Sequence, residues 1–166
     1  MRIEWIEKYL AEAEQLISTN NVDRGLQLMN ELLYDEPGYG YLHNHLGWAY
    51  LYYTNETTRA KLHLLMAVKF NEEYPAPYLH LGTLYIRTGR YTDALTYLAK
   101  GLTKPNANRL VFFQNIAQAY EMKREFAKAI NAYKEALTQT VGYESDTLMQ
   151  SIKRCRKKRV LLFFSF

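Results

Sequence analysis

A block returns three times in this chain at a constant spacing of 35 residues: Leu46-Gly47-x-x-Tyr50, Leu81-Gly82-x-x-Tyr85 and Ile116-Ala117-x-x-Tyr120. Nine or ten residues beyond each Tyr an alanine opens a second triplet: Ala60, Leu64, Ala67; then Ala94, Leu98, Gly101; then Ala129, Tyr133, Ala136. Self-similarity at a fixed period in this range is the signature of a solenoid built from helix pairs, none of which can bury its apolar face alone. The constraint reaches function too. Stacked helical hairpins present a long concave surface and little machinery for chemistry.

The block has a direct physical reading. Gly47, Gly82 and Ala117 each sit one helical turn before the Tyr, on one face of a first helix. A small side chain there lets a second helix approach, and the flanking Leu and Tyr fill the space around it. The second triplet, spaced four then three, puts small, large and small residues on one stripe of that second helix. Turn chemistry separates the two helices: Gly89-Arg90 in one unit, Lys123-Arg124-Glu125 in the next, and the longer Thr54-Asn55-Glu56-Thr57-Thr58 before them. All four prolines (Pro37, Pro75, Pro77, Pro105) fall at the expected seams between units.

These residues resemble the tetratricopeptide repeat family. Tyr78, Leu81, Gly82, Tyr85, Gly89, Tyr91, Ala94 and Leu98 follow its pattern, as do Phe113, Ile116, Ala117, Tyr120, Phe126, Ala129, Tyr133 and Ala136. The resemblance implies an all-α, right-handed superhelix of four antiparallel helix pairs at about 6–39, 40–74, 75–109 and 110–143, filling residues 1–143. A capping helix with a basic cluster follows at 144–159, then an apolar tail at 160–166. The first unit keeps Tyr9, Ala13, Leu16, Met29 and Pro37, but has Glu12 where an apolar residue is expected and Gly25 where the family prefers Ala. Atypical first repeats are expected of a terminal unit.

Charge is unevenly placed. Lys153 to Arg159 holds six cations in seven residues, while the rest of the chain has 15 Lys+Arg against 17 Asp+Glu, a balance of −2. A stack that bound nucleic acid along its length would be basic along its length, so no nucleic-acid partner is expected. The apolar tail Val160-Leu-Leu-Phe-Phe-Ser-Phe166 is too short to span a bilayer, which needs about 20 residues. Its Phe163, Phe164 and Phe166 are expected to dock on an apolar surface of the same chain or of a second copy. Weak membrane contact is the rival reading of residues 153–166, since cations beside Phe and Leu attract anionic lipid. A longer chain, in which this stretch begins a membrane helix, is the third. The charged, amphipathic N-terminus has no apolar run of the secretory kind. With one cysteine, Cys155, a cytoplasmic, possible peripheral-membrane setting is expected, and the sequon at Asn55 is taken as accidental.

No phosphate-cradling loop, nucleophile elbow or metal-spaced Cys/His set occurs, so no enzyme activity, cofactor or metal is expected. His45 and His80 lie 35 residues apart on equivalent first-helix positions; two ligands without a third make a poor metal site, and they read as a polar lining. His43 falls on the packing side. If the resemblance extends to use, a partner peptide or helix lies along the inner faces of the first helices. The contact residues are then Tyr41, Asn44, His45, Trp48 and Tyr52, followed by His80, Thr83 and Arg87, and by Gln114, Asn115 and Gln118. Trp48 and Tyr52 are one turn apart and unneeded for packing, which marks them as anchors. The family's clamp for acidic chaperone C-termini needs cations that Leu10, Glu14, Pro75 and Leu79 do not supply. The expected function is therefore a protein–protein interaction scaffold. A small helical chaperone for a secreted client and a membrane-associated adaptor stay open beside it.

Overall fold

The computed structural model describes residues 2–140 and 142–163, and every regular element among them is an α-helix. In chain order these are α1 (Arg2–Ser18), α2 (Val22–Asp35), α3 (Gly40–Tyr53), α4 (Thr57–Phe70), α5 (Ala76–Arg87), α6 (Tyr91–Leu102), α7 (Arg109–Met122), α8 (Phe126–Leu137) and α9 (Tyr143–Phe163). The fold is an all-α helical-repeat solenoid, and it divides into two compact units, Met1–His80 and Leu81–Phe166.

In the first unit α1 packs on α2, α3 on α4, and α2 on α3. Ile6, Leu10, Ala13 and Ile17 form the buried stripe of α1, and Ala60, Leu64 and Ala67 that of α4. Both repeat glycines mark helix crossings where side chains would collide. A Cβ on Gly47 would stand 2.5 Å from Leu64 Cγ. Gly25, the departure from the family preference, is held harder still: a Cβ there would lie 2.7 Å from the backbone carbonyl oxygen of Ala13. Backbone cannot move aside as a side-chain tip can, so α1 and α2 need glycine rather than alanine at this crossing.

The second unit repeats the scheme with α5 against α6, where Gly82 meets Leu98, and with α7 against α8. Its core joins Ala117, Phe126, Ala129, Ile130, Tyr133 and Ala136 to Leu148, Ile152 and Cys155 of α9. Leu148, Ile152 and Cys155 thus form a buried stripe of α9, against α8. This helix begins at Tyr143 and carries Val160 to Phe163 as a further turn, because no Gly or Pro interrupts it at Arg159. The side chain of Phe163 and all of Phe164 and Phe166 lie outside the described residues, as does their expected docking. No described helix is long and apolar enough to cross a membrane.

Three of the four turns within pairs share one geometry. Asn20, Gly89 and Arg124 adopt positive φ of 67°, 74° and 64°. After each, an N–H reaches back to a carbonyl in the preceding helix: Asn21 to Leu16 at 2.8 Å, Arg90 to Tyr85 at 2.8 Å and Glu125 to Tyr120 at 2.9 Å. This is the left-handed helix stop that favours glycine or asparagine. The longer α3–α4 turn instead uses Thr54, whose hydroxyl donates to the Tyr50 carbonyl at 2.8 Å and accepts from the Glu56 N–H at 3.0 Å. Arg124 carries a Cβ where Gly89 has none. Arg124→Gly should therefore raise stability by about 0.5–1 kcal/mol, the relief of strain less the added freedom of the unfolded chain, and Gly89→Arg should lower it. Paired thermal melts check both signs.

Candidate protein-interaction faces

In the first unit the candidate residues lie along α3 and the start of α5. Tyr41, at 42% exposure, tilts against Tyr74 with ring centroids 4.5 Å apart. Asn44 is buried, and its amide nitrogen donates to the Tyr74 hydroxyl at 3.5 Å while Oδ1 has no partner. Turning the amide over would let the oxygen accept from that hydroxyl instead. Trp48 is half-buried and meets Tyr53 edge to face, centroids 5.0 Å apart. Tyr52 is 39% exposed, and its hydroxyl lies 3.5 Å from His80 Nδ1.

His45 bonds through Nδ1 to Glu14 of α1. Burial lowers its pKa despite the pull of Glu14, so the contact is a neutral imidazole N–H donating to a carboxylate. His80 is brought down to about 4, by burial first and then by the nearby His45. The 35-residue equivalence of these two histidines thus becomes proximity, and both are neutral at pH 7. On the packing side, His43 is buried and lies 3.0 Å from His63 Nδ1 and 3.0 Å from the Pro37 carbonyl. His63 is lowered to about 4, by burial and then by His43 and Arg59.

These shifts set an acid limit. In the folded state His63 and His80 stay neutral below the unfolded value of 6.5, so the unfolded chain binds protons first. The associated stability is complete above pH 6.5 and is lost as pH falls from 6.5 towards 4. Each group contributes a slope of at most about 1.4 kcal/mol per pH unit, less for His63, which is only half-buried. Urea unfolding between pH 7 and pH 4 should show this decline, and His80→Gln should flatten it.

In the second unit, Thr83 Oγ1 donates to Asn115 Oδ1 at 3.2 Å, and Asn115 Nδ2 donates to the Val111 carbonyl at 2.9 Å. Arg87 is exposed at the end of α5. Gln114, Asn115 and Gln118 border a cleft of about 430 Å³, closed on its far side by Leu148, Ser151 and Arg154 of α9. At its edge lies a cluster that sequence reasoning did not assemble. The buried Glu121 carboxylate accepts from Arg154 Nε at 2.9 Å, Arg154 Nη2 at 2.8 Å, Lys158 Nζ at 2.8 Å and the Tyr133 hydroxyl at 3.2 Å. The Arg154 bonds, helped by Lys158, hold Glu121 down to about 2 against the opposing effect of burial. Burial and the same carboxylate push the Cys155 thiol up to about 11, which leaves it unreactive. The signal in the sequence was the spacing: Arg154 and Lys158 stand four apart on one helical face, so the basic run was never a uniform solvated surface. Among the described residues no group of three or more His, Cys, Asp or Glu could hold a metal ion.

Comparison with known proteins fits this architecture. Residues 78–110 and 112–139 each match a tetratricopeptide repeat model. The fold is similar to a crystal structure of the MamA protein, with TM-score 0.80 and 18% identity over 94% of this chain and 83% of that one. It is also similar to PilF of Pseudomonas aeruginosa, with TM-score 0.84 and 14% identity over 95% of this chain and 70% of that one. No curated protein matches by sequence. With two tandem matches at residues 78–110 and 112–139, the chain carries tetratricopeptide repeats within a helical-repeat solenoid.

Proposed function

We propose that this protein–protein interaction scaffold receives a peptide or helix of its partner on the first-helix faces, with Trp48 and Tyr52 as anchors. The observation that carries this reading is the aromatic surface on α3. Tyr41, Tyr52 and Tyr53 are exposed, beside a half-buried Trp48. Large aromatics of this kind bury area at little entropic cost and dominate interface energetics. The neutral state of His45 and His80 and the absence of cations among the candidate residues of the first unit favour an apolar or aromatic partner segment there over an acidic one. Taken by itself, the second unit offers Thr83, Arg87, Gln114, Asn115 and Gln118 as polar contacts for a partner segment on its own first helices. Residues 6–39 and 40–74 are taken as two further repeats ahead of the two matched ones, supported by the glycine crossings at Gly25 and Gly47.

Trp48→Ala should weaken partner binding by about 2 kcal/mol or more while circular dichroism shows helicity unchanged. Loss of helicity instead would place Trp48 in the core and remove it from the site.

A further inference from the structure

Two exposed patches, one in each unit, take no part in the faces described above, and they differ sharply in charge. Residues 1–80 hold 6 Lys+Arg against 11 Asp+Glu, a balance of −5, whereas residues 81–166 hold 15 against 6, a balance of +9.

The patch of the first unit is a stripe on α1. Trp5, Tyr9, Glu12 and Leu16 are spaced four, three and four apart and so share one side of the helix, displaced by one residue from the buried stripe Ile6, Leu10, Ala13 and Ile17. Trp5 is 44% exposed, with its ring 4.9 Å from Tyr9, and Lys8 leans over that Tyr9 ring. Glu12 stands exposed where the repeat pattern has an apolar residue. The patch of the second unit is the last turn of α9. Val160 and Leu161 are exposed there beside exposed Met122. Leu162 and Phe126 border two clefts of about 600 and 370 Å³, rimmed by Arg124, Lys128, Lys158 and Arg159.

We propose that these patches bind each other between copies, the end of α9 in one chain seating on the Trp5–Leu16 stripe of the next. Each offers apolar side chains amid a net charge of one sign, and the two net signs are opposite. Glu4, Glu7 and Glu12 outweigh Lys8 around the α1 stripe, and four cations outweigh Glu121 and Glu125 around the α9 end. An anionic membrane would engage the α9 end alone and leave the α1 stripe exposed, whereas one contact between copies covers both. Charge also fixes the geometry. Basic patch against basic patch, or acidic against acidic, is repelled, so the contact pairs a head with a tail. Such a heterologous contact does not stop at a dimer unless it closes into a ring.

The test is light scattering on the full chain across a concentration series at low and high salt. Mass rising with concentration at low salt, and falling back to monomer at about 0.5 M salt where charges are screened within a few ångström, is the expected result. A tail-blocked variant (Leu161→Glu) and a head-blocked variant (Trp5→Ala with Glu12→Lys) should each be monomeric. Mixed, they should give a dimer and nothing larger, because only one good head and one good tail remain. Lys157→Glu with Arg156→Glu, both fully on the exposed side of α9, replaces Leu161→Glu should the latter lose helicity. A wild-type chain that stays monomeric throughout, blocked variants that associate as wild type does, or a mixture that remains monomeric would each overturn the proposal. Capture of a monomeric chain by phosphatidylserine vesicles, abolished by Leu161→Glu, would assign the α9 end to lipid instead.

Discussion

Replacing both Arg154 and Lys158 with alanine is expected to cost about 3 kcal/mol of stability. The side chain of Glu121 is 8% exposed, and its carboxylate is held by three charge-assisted bonds of 2.8–2.9 Å. Removing one side of a buried ion pair costs about 3–5 kcal/mol, because the remaining charge is left without compensation. The lower end applies here, since Arg154 and Lys158 keep 48% and 47% of their side-chain surface in water. With only the Tyr133 hydroxyl and the weakly donating Cys155 thiol left, Glu121 would have to take up a proton or expose itself, and α9 would loosen from α8. Adding Glu121→Gln to the double variant should recover most of the loss, because a neutral amide needs no counter-charge. An ordinary surface pair would give less than about 1 kcal/mol and no such recovery, so urea unfolding of the three proteins separates the cases. Acid should act on the same site. The contribution of Glu121 is complete above 4.5 and is lost as pH falls towards 2, below the window set by the histidines.

Gly82→Leu is the second large effect. A Cβ alone at this position would stand 2.5 Å from Leu98 Cγ, and Leu98 is wholly buried in α6. Three further carbons have nowhere to go unless α5 and α6 separate. Overpacking of a tight core costs about 1–3 kcal/mol or more, and a site where the first carbon already collides belongs at the upper end. Leu62→Ala on the exposed side of α4 should change little. A melting temperature unmoved by Gly82→Leu would contradict the pairing of α5 with α6 through the repeat motif.

The helix pairs were legible because their signal is local and repeated. Small residues at Gly47, Gly82 and Ala117, with triplets such as Ala94, Leu98, Gly101, encode a crossing that recurs every 35 residues. The first unit was harder to read, since a consensus treats Gly25 as a weak match. Only three-dimensional contact reveals that the Ala13 carbonyl excludes any side chain there. Likewise, Arg124 gives no sign in sequence of its left-handed backbone, except that it stands 35 residues after Gly89. The Glu121 cluster depends on a helix packing 33 and 37 residues away, a distance that no periodicity reports. Of the candidate contact residues, the exposed Tyr41 and Tyr52 were readable from helical spacing. The burial of Asn44 against Tyr74 was not, because it is set by a loop tyrosine outside the repeat pattern.

The central claim is that partner segments are received on the first-helix faces through the α3 aromatics. Selection of peptides from a random displayed library against the full chain tests it most directly, with every enriched peptide then titrated against three variants. The account predicts apolar or aromatic peptides whose binding is lost in Trp48→Ala and in Tyr52→Ala and is unchanged in Leu62→Ala on the second-helix side. Enriched peptides that bind all three variants equally, or that lose affinity only in Leu62→Ala, would contradict it.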